Sequence, residues 1–541
     1  MYENKTIKYI NISMEKTLFR NLTPQQIEKA KEIYRDKTIK WDIRMAKLTK
    51  LFGGISERAA RRWCISLGLK ERTDIEIKDI KKAKTKKHDK AKKRFLITSA
   101  QAATPVHDNF IDGMEALAKY YDAEILVIPF RYHNPTSIFT EASEENEWWD
   151  KRILKYLTLN RHDLNKRISI LSDVKIQPTN ANPLQGLEGM TGEHSSIIGH
   201  PRMELRSIPV MEGSAPKILF TTGACTKENY TDTKLGKKGE FHHSLGFAVV
   251  EIKDSETFFF RQVSANSKGE FIDLNNYVNG GKVTKEKEVE AIILGDVHVA
   301  DCDPMVTDVT FNDLFKRIKP KKVFLHDIIS SNSISHHNLN NPFILHQQEK
   351  NGTNSLADEI NQMIEWLKKV ESYDVYIVKS NHDEHIDKFL QTTDWRKMAS
   401  FKNALPYMEY STAILRGDAP NGIVPYVINK YYPKFKCLGH NDNVIVKGWL
   451  LSVHGHIGAS GSRGSLQQYS KLATKTVTGH SHSIGRIGGA VAVGTSTHLR
   501  LAYNKGASSW VNAHGIINRL GKFQHIVFFK TKNGMEYTTL K

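Results

Sequence analysis

Five short apolar runs in the second half of the chain each end directly in polar residues of the kinds that bind metal ions. The five blocks are Gly295-Asp296-Val297-His298, His326-Asp327, Ser380-Asn381-His382-Asp383, His454-Gly455-His456 and Gly479-His480-Ser481-His482. Apolar runs of this length, alternating with helical segments, are typical of buried strands in an α/β fold. The carboxyl ends of the strands in such a sheet face one crevice. The sequence therefore predicts an α/β fold that gathers these distant polar residues at one sheet edge.

The residue types in these blocks indicate the kind of metal site. Imidazole nitrogen combined with carboxylate oxygen, without thiolate sulphur, suits Mn, Fe or Zn. Two metal ions about 3.5–4 Å apart share a ligand, usually a carboxylate, and the blocks hold more candidate ligands than one ion requires. The four cysteines lie far apart and form no CxxC pair. That spacing argues against a cysteine-type zinc site or a disulfide framework, and favours a reducing compartment.

The five blocks together resemble the pattern of the calcineurin-like metallophosphoesterase superfamily. Its pattern runs, in order, D-x-H, G-D, G-N-H-D/E, H-G and G-H-x-H, and the resemblance covers about residues 288–500. It implies a four-layer β-sandwich flanked by helices, and a hydrolase acting on phosphoesters. It also implies two divalent metal ions, with Mn²⁺ favoured over Mg²⁺, Fe²⁺ or Zn²⁺.

The resemblance assigns a role to each residue that matches the motif. Asp296, His298 and His482 resemble ligands of the first metal, and Asp327 resembles the carboxylate that bridges both metals. The ligands of the second metal correspond to Asn381, His454 and His480. The remaining correspondences are His382, which would contact the phosphate and assist the leaving group, and Asp383, which would orient His382. The sequence departs from the pattern at His326 and Ser380, where the superfamily has glycine.

Residues 1–75 read as a small helical domain that resembles a helix-turn-helix. Three short helices are predicted at 25–36, 39–52 and from Glu57 to about residue 69, with Ser56 capping the third. Arg58, Arg61 and Arg62 on the third helix would meet DNA phosphates or base edges. An equally good interpretation of the same pattern is a helical bundle with a solvated basic face.

Residues 76–94 form a predicted basic linker. Its last fourteen residues hold nine Lys or Arg against one Asp, so this segment cannot form a core. Lys86 and Lys87 lie within it and are predicted DNA contacts, because neutralising phosphates releases counterions. A soluble spacer would explain the same charge run.

Residues 95–287 are predicted to form an α/β domain of unknown role, and residues 288–541 the catalytic domain. The middle domain opens with a strand, a helix and a second strand, which indicates a βαβ unit. Residues 170–215 are rich in Asn, Pro, Gly and Ser and read as loops. The Asp301 and Asp303 carboxylates, just after the first block, read as loop residues.

The metal site alone does not select a substrate, because the superfamily contains protein phosphatases, nucleotide phosphodiesterases and DNA nucleases. The net charge of +19, the basic linker and the helix-turn-helix-like segment favour DNA. The whole chain also resembles pre-early proteins of tailed bacteriophages that transfer DNA and degrade host DNA. This implies a manganese-dependent DNase in the infected bacterial cytoplasm.

Two other functions remain open on the sequence. One is a protein or nucleotide phosphatase, and the other is a DNA-binding protein with a non-catalytic metal site. Besides DNA, a second phage or host protein and a second copy of the chain remain open as partners. No run of 18 or more apolar residues occurs, so no membrane span is expected.

Overall fold

The computed structural model describes residues 22–36, 41–67, 69, 92–130, 132, 148–335, 338–397 and 403–540. The chain divides into two compact units, residues 1–82 and 83–541. The predicted DNA contacts Lys86 and Lys87 lie outside the described residues.

The first unit contains the three predicted helices. They are α1 (Pro24–Arg35), α2 (Trp41–Leu51) and α3 (Glu57–Ser66). Thr23 caps α1 with a reciprocal hydrogen-bond pair to Gln26, and the Ser56 hydroxyl accepts a hydrogen bond from the Ala59 amide at the start of α3. The buried side chains of Leu48, Phe52 and Trp63 pack together. Because each helix is short, this shared apolar core is what stabilises them.

The three arginines predicted to contact DNA lie on α3. The first unit thus has the helical content predicted for a helix-turn-helix-like domain. DNA contact by Arg58, Arg61 and Arg62 stays a prediction.

The first part of the second unit is built from short strands and two helices. The elements are β1 (Arg94–Gln101), α4 (Asp108–Tyr121), β2 (Glu124–Phe130), β3 (His162–Asp163), β4 (Ile168–Ile170), β5 (Ser195–Ile198), β6 (Glu204–Ile208), β7 (Lys217–Thr221), α5 (Lys234–His242), β8 (Gly246–Ile252), β9 (Phe258–Ser264), β10 (Phe271–Asp273), β11 (Asn276–Asn279) and β12 (Lys282–Lys285).

The predicted βαβ unit is present, since β1 and β2 are parallel neighbours joined through α4. They belong to a four-stranded sheet of order β2-β1-β8-β9, and β10, β11 and β12 form a separate three-stranded sheet. The expectation of loops throughout 170–215 was wrong in part, because β5 and β6 lie there. Both strands are short but mostly buried, and their burial in a sheet outweighs the loop-forming residues around them.

The second part of the second unit carries the five polar blocks. Its strands are β13 (Ala291–Ile293), β14 (Lys322–Leu325), β15 (Asp374–Ile377), β16 (Lys436–Cys437), β17 (Ile445–Val446), β18 (Trp449–Leu450), β19 (Lys475–Thr478), β20 (Gly485–Ile487), β21 (Ala490–Ala492), β22 (Ala513–Ile517), β23 (Phe523–Val527), β24 (Phe529–Thr531) and β25 (Gly534–Glu536). Its α-helices are α6 (Pro304–Val309), α7 (Phe315–Ile318), α8 (Pro342–Asn351), α9 (Leu356–Leu367), α10 (His385–Thr392), α11 (Ala404–Arg416), α12 (Ile423–Tyr431) and α13 (Leu466–Tyr469).

A six-stranded sheet of order β16-β15-β14-β13-β22-β23 forms the centre of this region. Strands β13 to β16 run parallel to one another, so their carboxyl ends meet at one edge. One face of the sheet packs on α-helices through a cluster that includes Val323, Val375, Phe315 and Met363. The mixed α/β class predicted from the sequence is therefore confirmed.

A ten-stranded sheet packs on the other face of the six-stranded sheet. Its order is β17-β18-β19-β21-β20-β6-β7-β5-β4-β3, and Trp449, Val477 and Val491 from it share an apolar cluster with Phe324 and Ile293 from the six-stranded sheet. Strand β6 pairs with β20, so hydrogen bonds join residues on the two sides of the predicted domain boundary at residue 287. The predicted division of the chain into four domains stays a prediction.

Buried charged residues connect the four-stranded sheet to the chain's final segment. Arg261 on β9 donates two hydrogen bonds to Asp273, at 2.8 and 2.9 Å, and one to Glu251, at 2.5 Å. The Thr538 hydroxyl also donates to Glu251, at 2.8 Å. Burial opposes the charge of both carboxyls, but Arg261 holds the pKa of Glu251 and of Asp273 below its usual range. None of the described helices is long and apolar enough to cross a membrane.

Candidate metal centre

Five strand ends deliver the predicted ligands to one place. Asp296, Asp327 and Asn381 follow the parallel strands β13, β14 and β15, while His454 and His480 follow β18 and β19. Each of these residues lies two to four positions beyond its strand. These short strands are apolar and lie in the core. The segment that follows each strand leaves the core at the same edge of the sheet, where the polar side chains can meet.

Four of the predicted ligands form a buried group around Asp296. Donor atoms of Asp296, His298, Asp327 and His482 all lie within 4.8 Å of one another. His482 Nε2 lies 3.2 Å from Asp296 Oδ2 and 3.1 Å from His298 Nε2. His298 Nε2 lies 3.4 Å from Asp327 Oδ2. This first group is the set predicted to hold the first metal ion.

A second group shares Asp327 with the first. His454 Nε2 lies 3.1 Å from Asp327 Oδ2 and 3.1 Å from Asn381 Oδ1. His480 Nδ1 also lies 3.1 Å from Asn381 Oδ1. One carboxylate oxygen of Asp327 thus faces imidazoles of both groups, which is the position a bridging ligand requires. The structure brings all seven predicted ligands together.

The backbone of this centre is strained at four of the seven residues. His298, Asp327, His480 and His482 have positive φ angles of 44°, 45°, 68° and 55°. Non-glycine residues rarely adopt this conformation, and each instance costs roughly 1–3 kcal/mol. Strain of this kind clusters where the surrounding structure holds side chains for a function.

Asp296 provides the test of whether the centre fits a cation. Its side chain is fully buried, Oδ1 has no hydrogen-bond partner among the described residues, and Oδ2 faces His482 Nε2 at 3.2 Å. An ionised carboxylate buried with an oxygen left unpaired is costly unless a positive charge lies beside it. A metal ion held by Asp296 and its neighbours would supply that charge, so the donor set fits a divalent cation.

The charges of the centre favour cation binding in the same way. Burial opposes the charged form of Asp327, but His454 and the other nearby imidazoles hold its pKa well below the usual range. Burial also opposes protonation of His454, but Asp327 and Asp296 raise its pKa to about 9. A proton on His454 thus compensates the carboxylates, and a metal ion binding there would displace it.

His326 takes part in the centre, at a position where the superfamily pattern has glycine. It is buried, and its Nδ1 lies 3.2 Å from Nδ1 of His454. Burial, followed by the charge of His454, lowers the pKa of His326 to about 4. A neutral His326 can therefore accept a hydrogen bond from His454 and leave the other nitrogen of His454 facing Asp327. The sequence signal was the histidine itself, placed directly after a strand.

His382 lies beside the ligands without belonging to either group. Its ring packs edge-on against His298, with ring centres 4.5 Å apart, and its amide donates a hydrogen bond to Asp327 Oδ1 at 3.3 Å. Nδ1 of His382 lies 3.0 Å from the carbonyl oxygen of Ser330. That contact leaves Nε2 as the nitrogen that can reach a substrate.

The Ser330 carbonyl is therefore the contact of the His382 ring nitrogen, and the orienting role that the sequence pattern gives Asp383 stays a prediction. The Asp383 carboxylate is buried, and burial followed by the charge of Asp327 raises its pKa to about 7. The Asp383 amide donates a hydrogen bond to the Ser380 hydroxyl at 3.4 Å.

Three more residues form a half-exposed group beside the centre. Glu384, His440 and His456 have donor atoms within 4.8 Å of one another, and His440 Nε2 lies 2.6 Å from Glu384 Oε1. Asp303 has a structural role, since its carboxylate accepts a hydrogen bond from the Met305 amide at the start of α6. Asp301 accepts a hydrogen bond from the Asn332 side chain.

Comparison with known proteins identifies a relative that covers most of the chain. No protein-family model matches the chain. The chain is 30% identical over 471 residues to a protein of Escherichia phage T5 called Protein A1, and the match covers 82% of each of the two chains. The match spans far more than the metal centre, so the similarity is not confined to a short motif.

Proposed function

The chain belongs to the family of Protein A1 of Escherichia phage T5, and on this premise we propose that it is a metal-dependent DNA nuclease of the calcineurin-like metallophosphoesterase class. The proposal includes the four-layer sandwich fold of that class. It also includes two divalent metal ions, with Mn²⁺ favoured, at the two groups that share Asp327.

One observation carries the proposal. Seven side chains from five separated strand ends meet in two groups that share Asp327, whose Oδ2 lies 3.4 Å from His298 Nε2 and 3.1 Å from His454 Nε2. Two metal ions that share one carboxylate form a clamp for the attacking and leaving oxygens of a phosphoester. A single structural metal site would be satisfied by about four ligands.

The residues of the centre divide the work of phosphoester hydrolysis. Bound divalent cations supply a nucleophile from water near neutral pH and neutralise charge on the phosphoryl oxygens. Asp296, Asp327 and His482 are buried and hold the donor atoms in fixed positions, so the site is ordered before substrate arrives.

His382 is the proposed catalytic residue that binds no metal. Nδ1 lies against the Ser330 carbonyl and donates to it, so Nε2 faces the substrate. In the imidazolium form, which the charge of Asp327 favours against burial, Nε2 also carries a proton, and that proton can pass to the departing oxygen or stabilise charge on the phosphoryl group. A positioned acid of this kind contributes typically 10²–10⁴-fold to the rate. His298, packed against the His382 ring, keeps that ring beside the first group.

DNA is the proposed substrate because of charge outside the centre. The net charge of +19 favours a polyanionic partner and raises association rates with DNA. The helical first unit and the basic segment 76–94 would add contacts to phosphates. In an infected bacterial cytoplasm, such an enzyme would degrade host DNA and support DNA transfer.

The experiment is a nuclease assay on the full chain with linear, circular and single-stranded DNA, in Mn²⁺, Mg²⁺ or Zn²⁺. Asp327→Asn should lose both Mn²⁺ binding and cleavage, because the shared carboxylate is gone. His382→Ala should keep Mn²⁺ binding and lose at least 100-fold in cleavage rate. His162→Ala, on β3 at the far end of the ten-stranded sheet, is the matched control and should cleave as wild type.

The same assay separates the other two functions. Turnover of a small phosphate monoester without cleavage of any DNA would indicate a phosphatase instead. Stoichiometric Mn²⁺ binding without turnover of either substrate would indicate a non-catalytic metal site. Wild-type cleavage by the Asp327→Asn and His382→Ala proteins would refute the assignment of the site.

A further inference from the structure

A second site lies at the other end of the strand that leads to the metal centre. Lys475 begins β19, whose carboxyl end leads to His480, so the two lie roughly 15 Å apart along the strand. A cavity of about 410 Å³ opens beside Lys475. Its lining includes Arg202, Trp449, Lys475, Arg486 and Lys522.

Arg486 is the unusual residue of this cavity. Its side chain is buried, and its Nε has no hydrogen-bond partner among the described residues. Within the described part of the chain, no carboxylate lies within ion-pair distance of it. Burial alone lowers the pKa of Arg486 to about 10. A buried guanidinium without a carboxylate destabilises the fold unless an anion reaches it.

Two lysines add charge of the same sign to this cavity. Burial, together with the charges of Lys475 and Arg486, lowers the pKa of Lys522 to about 8. Burial and the charge of Arg486 also lower the pKa of Lys475, whose ammonium lies 5.6 Å from the centre of the Trp449 ring. None of the ion pairs among the described residues includes either lysine. The three cations therefore repel one another across one cavity.

The neighbouring acidic residues do not compensate these three cations. Glu204 forms an ion pair with Arg202, whose Nε lies 2.9 Å from Glu204 Oε1. Glu228 also lines the cavity, but none of the ion pairs among the described residues includes it.

We propose that this cavity binds a compact polyphosphate anion, the class that includes nucleoside triphosphates and inorganic polyphosphate. Three cations in one cavity suit a ligand with several linked negative groups better than a single carboxylate. The cavity volume of about 410 Å³ lies in the range of small-molecule sites. The site is separate from the metal centre and does not depend on the proposed nuclease activity.

Isothermal titration calorimetry of the full chain in EDTA tests the proposal, because EDTA removes metal-dependent phosphate binding. Inorganic tripolyphosphate should bind at one site per chain, and orthophosphate at least tenfold more weakly. Lys522→Gln should weaken tripolyphosphate at least tenfold, and Arg486→Met should abolish binding. Lys282→Gln, which removes one exposed lysine on β12, is the matched control and should bind as wild type.

A second measurement guards against a folding defect in the Arg486→Met protein. Its melting temperature without ligand should be no lower than that of wild type, because a buried unpaired charge has been removed, and tripolyphosphate should no longer raise it. A parallel titration with ATP identifies the ligand class. Tighter binding of ATP than of tripolyphosphate indicates a nucleotide ligand, and equal binding indicates inorganic polyphosphate.

The proposal is overturned if wild type binds no tripolyphosphate, or if Lys522→Gln and Arg486→Met bind it as wild type does. It is also overturned if orthophosphate binds as tightly as tripolyphosphate. A change in oligomeric state of Arg486→Met, with no tripolyphosphate binding by wild type, would instead assign the cations to a contact with an acidic surface.

Discussion

Gly479→Ala changes the metal centre without altering any ligand. Gly479 lies between β19 and His480, and a Cβ placed on it would lie 2.2 Å from Asp296 Oδ1 and 3.2 Å from Cγ of His326. Real Cβ atoms do not approach other atoms within 3.0 Å. The carboxylate oxygen must therefore retreat by at least 0.8 Å, the difference between those two distances.

That displacement is large for a metal ligand. Ligand distances in metal sites tolerate deviations of about 0.2 Å, and Asp296 cannot turn aside freely because it is fully buried. We expect Mn²⁺ affinity to fall at least tenfold, which corresponds to about 1.4 kcal/mol. Cleavage at a fixed, subsaturating Mn²⁺ concentration should fall in proportion.

Calorimetric titration with Mn²⁺ measures the affinity, and circular dichroism checks the fold. Gly281→Ala is the matched control, because a Cβ on Gly281 would meet no atom within 4 Å, so this variant should bind Mn²⁺ as wild type does. Wild-type Mn²⁺ affinity in Gly479→Ala would show that Asp296 Oδ1 is not a ligand, and the reasoning on the first group would fail.

Three further predictions test other parts of the molecule. His326→Gly, which restores the superfamily glycine, should lower Mn²⁺ affinity 10–100-fold, because His454 loses the partner that holds its ring. Unchanged Mn²⁺ affinity in the same titration would show that His326 only fills space. Arg261→Met should lower the free energy of unfolding by roughly 3–5 kcal/mol at pH 7, measured by urea unfolding. In the wild type, the pKa values of Glu251 and Asp273 are lower than in the unfolded chain, where they are about 4. The ionised carboxylates therefore stabilise the fold at pH 7, and this stabilisation is lost as the pH falls through their folded-state pKa values. In the variant the same carboxyls are buried without a cation, so the deficit should shrink between pH 7 and pH 4.5, and a constant deficit would contradict the argument. Replacing the three α3 arginines by glutamine should reduce the slope of log affinity for DNA against log salt by up to about 2.7, and an unchanged slope would remove α3 from the DNA interface.

The sequence determined the strands and the polar residues that follow them. An apolar run is excluded from water wherever it lies in the fold, so β13, β14 and β19 could be predicted from their own residues. The order of the five blocks then gave the candidate ligands by resemblance. The first unit was predictable for the same reason, since its helices are short, local and capped by nearby residues.

The tertiary structure alone decided how distant residues meet. The pairing of β6 with β20, the contact of His326 with His454, and the choice of Ser330 as the partner of His382 depend on backbone positions that no local pattern records. The cavity around Arg486 is the clearest case, because Lys475, Arg486 and Lys522 are separated in the sequence and line one cavity in the folded chain. Only the packing of the sheets brings the two lysines beside the buried guanidinium of Arg486.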